Sequence, residues 1–198
     1  MRTKAIAICL AAMFLSGCVP SLHRLYDKQT TVSDDGLPGR WVQEDDETTW
    51  TFEANEDGYK VQVAEKDGKS GRFEAHLVRL GDLLFMDLYP STKDRPDMTD
   101  LYALHLVPAH TLWRVQRQGD TLKLHVMNPT AVDKMLKADP TLVRHERPDD
   151  GDGVVLTAGT ADLQKFVVRC AKTKDGFGEP IVLNRSASSE PEKDQPAP

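Results

Sequence analysis

The stretch Asp57-Gly58-Tyr59-Lys60-Val61-Gln62-Val63-Ala64-Glu65-Lys66-Asp67-Gly68 places two Asp-Gly pairs around a segment of alternating apolar and polar residues. Asp-Gly readily adopts the positive φ angles of a tight hairpin turn. A period of two puts Tyr59, Val61 and Val63 on one face of an extended segment. The pattern repeats outward from there: Phe73, Ala75 and Leu77 alternate, as do Leu122, Leu124 and Val126, with Gly81-Asp82 and Gly119-Asp120 as further turn pairs. Strands are predicted near 40–44, 48–54, 58–65, 71–80, 83–89, 101–107, 110–118 and 121–128, with Pro108 turning one junction into a bend.

Downstream, Asn128-Pro129 reads as a helix cap followed by Pro at the first helical position, with Val132, Met135 and Leu136 on one face. Strands near 142–146 and 153–157 follow, then a helix from Thr160 to about Lys172 with Asp162 in its first turn. A last short strand is Pro180-Ile181-Val182-Leu183. The predicted fold is mainly β: an antiparallel up-and-down meander of about eight strands, closing into a barrel or forming a strongly curved sheet, with two helices in the C-terminal third.

At 198 residues the chain suffices for one well-cored domain. Charged residues at 28% and apolar residues at 39% exclude fibrous and wholly disordered chains. Lys and Arg total 25 against 31 Asp and Glu, with no clustered cations, which argues against a nucleic-acid partner.

The N-terminus has its own logic. Met1-Arg2-Thr3-Lys4 is charged, Ala5 to Leu15 is apolar, and Ser16-Gly17-Cys18 offers small residues before a cleavage point. The apolar run is shorter than the roughly 20 residues a membrane span needs. Leu15-Ser16-Gly17-Cys18 resembles the lipobox of bacterial lipoproteins. That resemblance implies removal of residues 1–17, attachment of diacylglycerol with palmitate-type acyl chains to Cys18, and a membrane anchor through that lipid. Val19, where an Asp usually retains such proteins at the inner membrane, implies the outer membrane, facing the periplasm. Residues 18–38 are then expected as a lipidated tether with a short helical turn at Leu22, Leu25 and Tyr26, residues 39–185 as the folded domain, and residues 186–198 as a disordered Ser/Pro/Glu/Lys tail. Cys170 is the third cysteine beside Cys9 and Cys18, so the mature chain is expected to form no internal disulfide. Its place in the spacing Leu163, Phe166, Val167, Cys170 marks a buried, inert thiol.

Gly39-Arg40-Trp41, opening the first main strand, resembles the Gly-Xaa-Trp start of the lipocalin and calycin barrels. There the indole closes one barrel end beneath a late arginine, for which Arg144 and Arg185 are both candidates. The Thr-Asp-Xaa-Xaa-Arg block of lipocalins has no counterpart here. The order of Gly39-Arg40-Trp41, Phe73-Glu74-Ala75-His76-Leu77, Leu84-Phe85-Met86-Asp87-Leu88-Tyr89-Pro90 and Leu156-Thr157-Ala158-Gly159-Thr160-Ala161-Asp162-Leu163-Gln164 resembles a family of uncharacterised bacterial lipoproteins. This likeness implies fold and location but no activity.

Asp87 interrupts the apolar run Leu83 to Tyr89, and a carboxylate there needs a partner. With strands at 83–89 and 101–107, antiparallel register brings His105 within diagonal reach. An Asp87–His105 pair is one route to an envelope hydrolase, yet no Gly-Xaa-Ser-Xaa-Gly nucleophile accompanies it, and a structural pairing, or plain solvent exposure, is the favoured reading. The six histidines show no zinc spacing, and Asp149-Asp150-Gly151-Asp152-Gly153 lacks the EF-hand pattern, so no metal or other cofactor is expected. The expectation is a non-enzymatic binding module whose partner is a small apolar molecule or another envelope protein. The first needs a lined cavity and the second an exposed surface.

Overall fold

A computed structural model of the chain describes residues 18–43, 45–91, 98–148 and 153–186. The expected leader 1–17, most of the acidic stretch 149–153 and the expected tail from 187 onward lie outside the described residues. Seven strands follow one another as an antiparallel meander: β3 (Gly39–Gln43), β4 (Thr49–Asn55), β5 (Gly58–Ala64), β6 (Ser70–Leu80), β7 (Leu83–Pro90), β8 (His110–Gln118) and β9 (Thr121–Met127). The eighth is β12 (Phe177–Arg185), which pairs with β9 on one side and β3 on the other and so closes the ring. The result is a closed eight-stranded antiparallel barrel, as the alternation and turn pairs predict.

The identity of the eighth strand differs from expectation. Residues 101–107 form no strand: α1 (Asp100–Ala103) opens there, with the Thr99 hydroxyl accepting a hydrogen bond from the Tyr102 amide at 3.3 Å, and a turn follows. The physical reason lies in the neighbours. β7 and β8 pair directly, Asp87 opposite Leu112 and Met86 opposite Trp113, so no edge remains between them for another strand. The expected short strand at 180–183 instead lengthens to nine residues because both its edges are paired.

The barrel interior is filled. Inward positions contributed by all eight strands, among them Trp41, Phe52, Leu77, Met86, Leu122 and Leu124, are buried in one cluster that Leu37 joins from outside the strands. A second cluster packs on the outer face of β6, β7 and β8. Against Val78, Phe85 and Leu112 lie α2 (Pro129–Ala138) with Val132 and Leu136, and α3 (Thr160–Lys172) with Leu163, Phe166, Val167 and Cys170. β7 is therefore buried on both faces, which explains why its sequence is continuously apolar instead of alternating. Asn128 caps α2 by accepting from the amides of Thr130 and Ala131, with Pro129 at the first position.

The segment 18–38, expected as a tether, is built into the domain from Val19 onward. β1 (Pro20–Ser21) pairs with β8 and with β11 (Val155–Leu156), which in turn pairs with β10 (His145–Glu146); β2 (Thr31–Val32) pairs with β6. Val19 and Leu25 are buried in the outer cluster, and Leu22 to Tyr26 runs without a helical turn. Three apolar side chains spaced along this strap, Val19, Leu25 and Leu37, give it enough buried surface to hold it down. Asp34 adds a bidentate ion pair to Arg117, with contacts of 2.8 and 2.9 Å.

At one end of the barrel, Arg185, the last residue of β12, resolves the choice between the two candidate arginines. Its guanidinium carbon lies 4.3 Å from the centre of the Trp41 ring, and it donates to the carbonyls of Pro38, at 2.9 Å, and Gly36. The Trp41 indole donates to the Leu37 carbonyl at 2.9 Å. Gly39 is favoured by its φ of +128°, and a Cβ there would stand 2.6 Å from an Arg185 nitrogen, so the guanidinium would have to shift. Because Trp41 is fully buried under this cover, Trp41→Ala is expected to cost about 3–5 kcal/mol, read as the loss in unfolding free energy in urea titrations.

Candidate functional site

Three neighbouring strands present polar side chains on the same outer face. The β6–β7 register sets His76 opposite Asp87, and the β7–β8 register sets Asp87 opposite Leu112, two residues from His110. Because alternate residues of a strand share a face, His110 comes within reach of Asp87. Asp87 Oδ1 lies 2.6 Å from His110 Nδ1, and Oδ2 accepts the Leu25 amide of the strap, also at 2.6 Å. One carboxyl oxygen thus faces the imidazole and the other the backbone of the strap. Asp87 is 1% exposed and both of its oxygens have a partner, as burial of a carboxyl group demands.

His105, the expected partner, is exposed in the turn after α1, where its amide donates to the Tyr102 carbonyl. The Asp87–His105 pair therefore does not form. Sequence reasoning misses His110 because the described residues of the connection between β7 and β8, 91 and 98–109, include no strand, which shifts the register by several residues. The signal available was the alternation starting at His110 itself, directly after Pro108. The residues that complete the site from the strap, Arg24 and Tyr26, carry no motif that marks them.

Around the pair, aromatic rings form a wall. Tyr26 stacks on His76 with ring centres 3.7 Å apart and planes within 10°, Arg24 sits 5.1 Å from the Tyr26 ring centre, and Tyr89 packs on His110 at 4.4 Å. Burial pushes the His76 imidazole below its ordinary value, against the pull of Asp87 and Glu74, so the stacked ring favours the neutral form. A shallow groove of about 360 Å³ opens between Leu22, His23, Glu74, Tyr89 and these rings. It adjoins a larger one of about 690 Å³ that shares Arg24, Tyr26 and His76 and extends to the β4–β5 turn.

An Asp–His pair orients an imidazole for general-base work when a nucleophile stands beside it. The residue opposite His110 across β1 and β8 is Ser21, whose hydroxyl donates to the His23 carbonyl at 2.7 Å and which is fully buried. Cys170 lies in the outer core with its thiol pushed up to about 12 by burial, far from a thiolate at neutral pH. Among the described residues no three His, Cys, Asp or Glu side chains gather to hold a metal, and no helix is long and apolar enough to cross a membrane. Cys18 is exposed, one residue before the buried Val19. Compared with known proteins, the chain matches no protein-family model, no curated protein and no solved structure.

Two outcomes follow for the pair and its neighbour. A double-mutant cycle of Asp87→Asn with His110→Gln is expected to show coupling of about 0.5–3 kcal/mol in unfolding free energy, whereas His105→Gln, on the surface, changes stability by less than about 0.5 kcal/mol. His76, with its folded pKa below the unfolded one, contributes stability above the ordinary value near 6.5 that is lost as pH falls through the lowered value. His76→Phe, which keeps the stack on Tyr26, should therefore flatten part of the acid limb in a plot of unfolding free energy against pH.

Proposed function

We propose that the chain is a lipid-anchored binding module of the cell envelope, held at Cys18 to the outer membrane and facing the periplasm, that docks another envelope protein and performs no chemistry of its own. The observation that carries this reading is the filled barrel. A carrier of small apolar molecules needs a lined cavity of a few hundred Å³, and the inward positions here are occupied by packed aromatic and aliphatic side chains. Concave surface lies instead on the outside, along the strap. The larger groove sets Arg24 and Lys28 against Asp34, Asp35, Glu56 and Asp57, a rim of both charges suited to orienting a protein partner.

The non-enzymatic reading is supported by how the buried carboxylate is spent: one oxygen holds His110 and the other holds the strap. An ester or peptide hydrolysis by the purified protein that His110→Gln abolishes without unfolding it would overturn this reading.

Cys18→Ser is expected to move the protein from the membrane fraction to the soluble fraction on cell fractionation. A photo-cross-linking residue at Lys28 or Glu56, both exposed in the groove, is expected to capture one envelope protein that a cross-linker at Glu179, on β12, does not. A fatty acid or similar molecule bound at one per chain in native mass spectrometry would favour the carrier instead.

A further inference from the structure

We propose that the segment Leu101–Val107, together with Leu22, is a second membrane contact: it rests in the headgroup and upper acyl region of the same bilayer that holds Cys18. This rests on the lipid-anchor reading above and adds to it which face of the barrel meets the membrane.

The first observation is where the exposed apolar surface lies. Among the described residues, the large hydrophobic side chains left exposed are Leu22, Leu101, Tyr102, Leu104, Leu106, Val107 and Val182. Five of these seven fall within seven consecutive residues, with Leu104 at 79% and Val107 at 72% exposure. Single exposed apolar residues need no explanation, but a contiguous cluster does. Leu22 belongs to the same end of the barrel. Ser21 pairs with His110, the first residue of β8, so the next strap residue lies beside the chain that leaves the 101–107 segment through Pro108 and Ala109.

The second observation is charge. From Leu101 to Trp113 the sequence contains no Asp, Glu, Lys or Arg. A protein-docking patch carries a polar rim, whereas a segment entering the lipid interface is depleted of ionised groups and favours an aromatic side chain such as Tyr102.

The third is the absence of slack. A lipidated Cys18 puts acyl chains into the bilayer at that residue, and Val19 is already buried while Pro20 and Ser21 are already paired. No flexible spacer separates lipid from domain, so the barrel surface around Cys18 lies against the membrane. Four residues of extended chain span at most about 13 Å, which brings Leu22 and the adjoining segment within the thickness of the headgroup layer and outer acyl region. A bilayer supplies cover for this face that the described residues do not.

The test uses the full chain purified from membranes and reconstituted in vesicles of phosphatidylethanolamine and phosphatidylglycerol. A nitroxide is attached at Leu104→Cys, and in a second sample at Leu101→Cys. A control label is placed at Glu53→Cys, exposed on β4 across the ring. Acylation of Cys18 and burial of Cys170 leave the introduced thiol as the reactive one. The mass of the N-terminal peptide reports the acyl groups independently. The expected result is an acylated N-terminus, with labels at 101 and 104 several-fold more accessible to oxygen than to an aqueous nickel chelate, relative to Glu53→Cys. An acylated N-terminus with labels as aqueous as the control overturns this inference and leaves the lipid anchor standing. A peptide mass without acyl groups overturns both. Labels that are aqueous in vesicles but shielded in native envelopes overturn the bilayer contact in favour of a protein covering the same patch.

Discussion

Everything in this molecule follows from β12 closing the ring. Placed between β9 and β3, it removes the two free edges that a seven-stranded meander would expose and brings Arg185 over Trp41 at one barrel end. The closure leaves the inward face with a fixed, small volume, and large side chains fill it. A filled barrel turns contacts outward, because whatever meets this protein meets its outer surface.

That outer surface is organised by one buried carboxylate. Asp87 sits on the strand sandwiched between the two cores and ties together three parts of the chain distant in sequence: β7, the start of β8 through His110, and the strap through the Leu25 amide. A buried polar group of this kind is a poor source of net stability, since desolvation offsets much of the attraction, but it penalises arrangements that leave it unpaired. It therefore selects one position for the strap, and with it the placement of Arg24 and Tyr26 over His76. The grooves exist because the strap lies where it does.

On the proposed lipid anchor at Cys18, the same strap would link fold to membrane. With packing beginning at Val19, a lipid on Cys18 acts on the rigid body directly, so attachment also sets orientation. A freely tethered domain searches all directions above the bilayer; a domain without a spacer presents one face downward and the others outward.

Local pattern was enough to read most of the barrel. Alternation and Asp-Gly or Gly-Asp pairs determine β4, β5, β6, β8 and β9, and Asn128-Pro129 determines the start of α2, because these signals act between residues a few positions apart. The Gly39, Trp41 and Arg185 constellation was half legible: the glycine and indole announce themselves, but choosing Arg185 over Arg144 needs to know which strand ends beside Trp41. Tertiary structure alone decided the rest. The run 101–107 has an apolar content that suits strand or helix equally, and it is the direct pairing of β7 with β8 that denies it a place in the sheet. The same pairing exchanges His105 for His110 as the partner of Asp87, since a register depends on which strands are neighbours and not on any residue within them. The strap reads as polar linker because its three anchors, Val19, Leu25 and Leu37, are too widely spaced to make a period. They become core only when the barrel and helices offer surfaces to receive them.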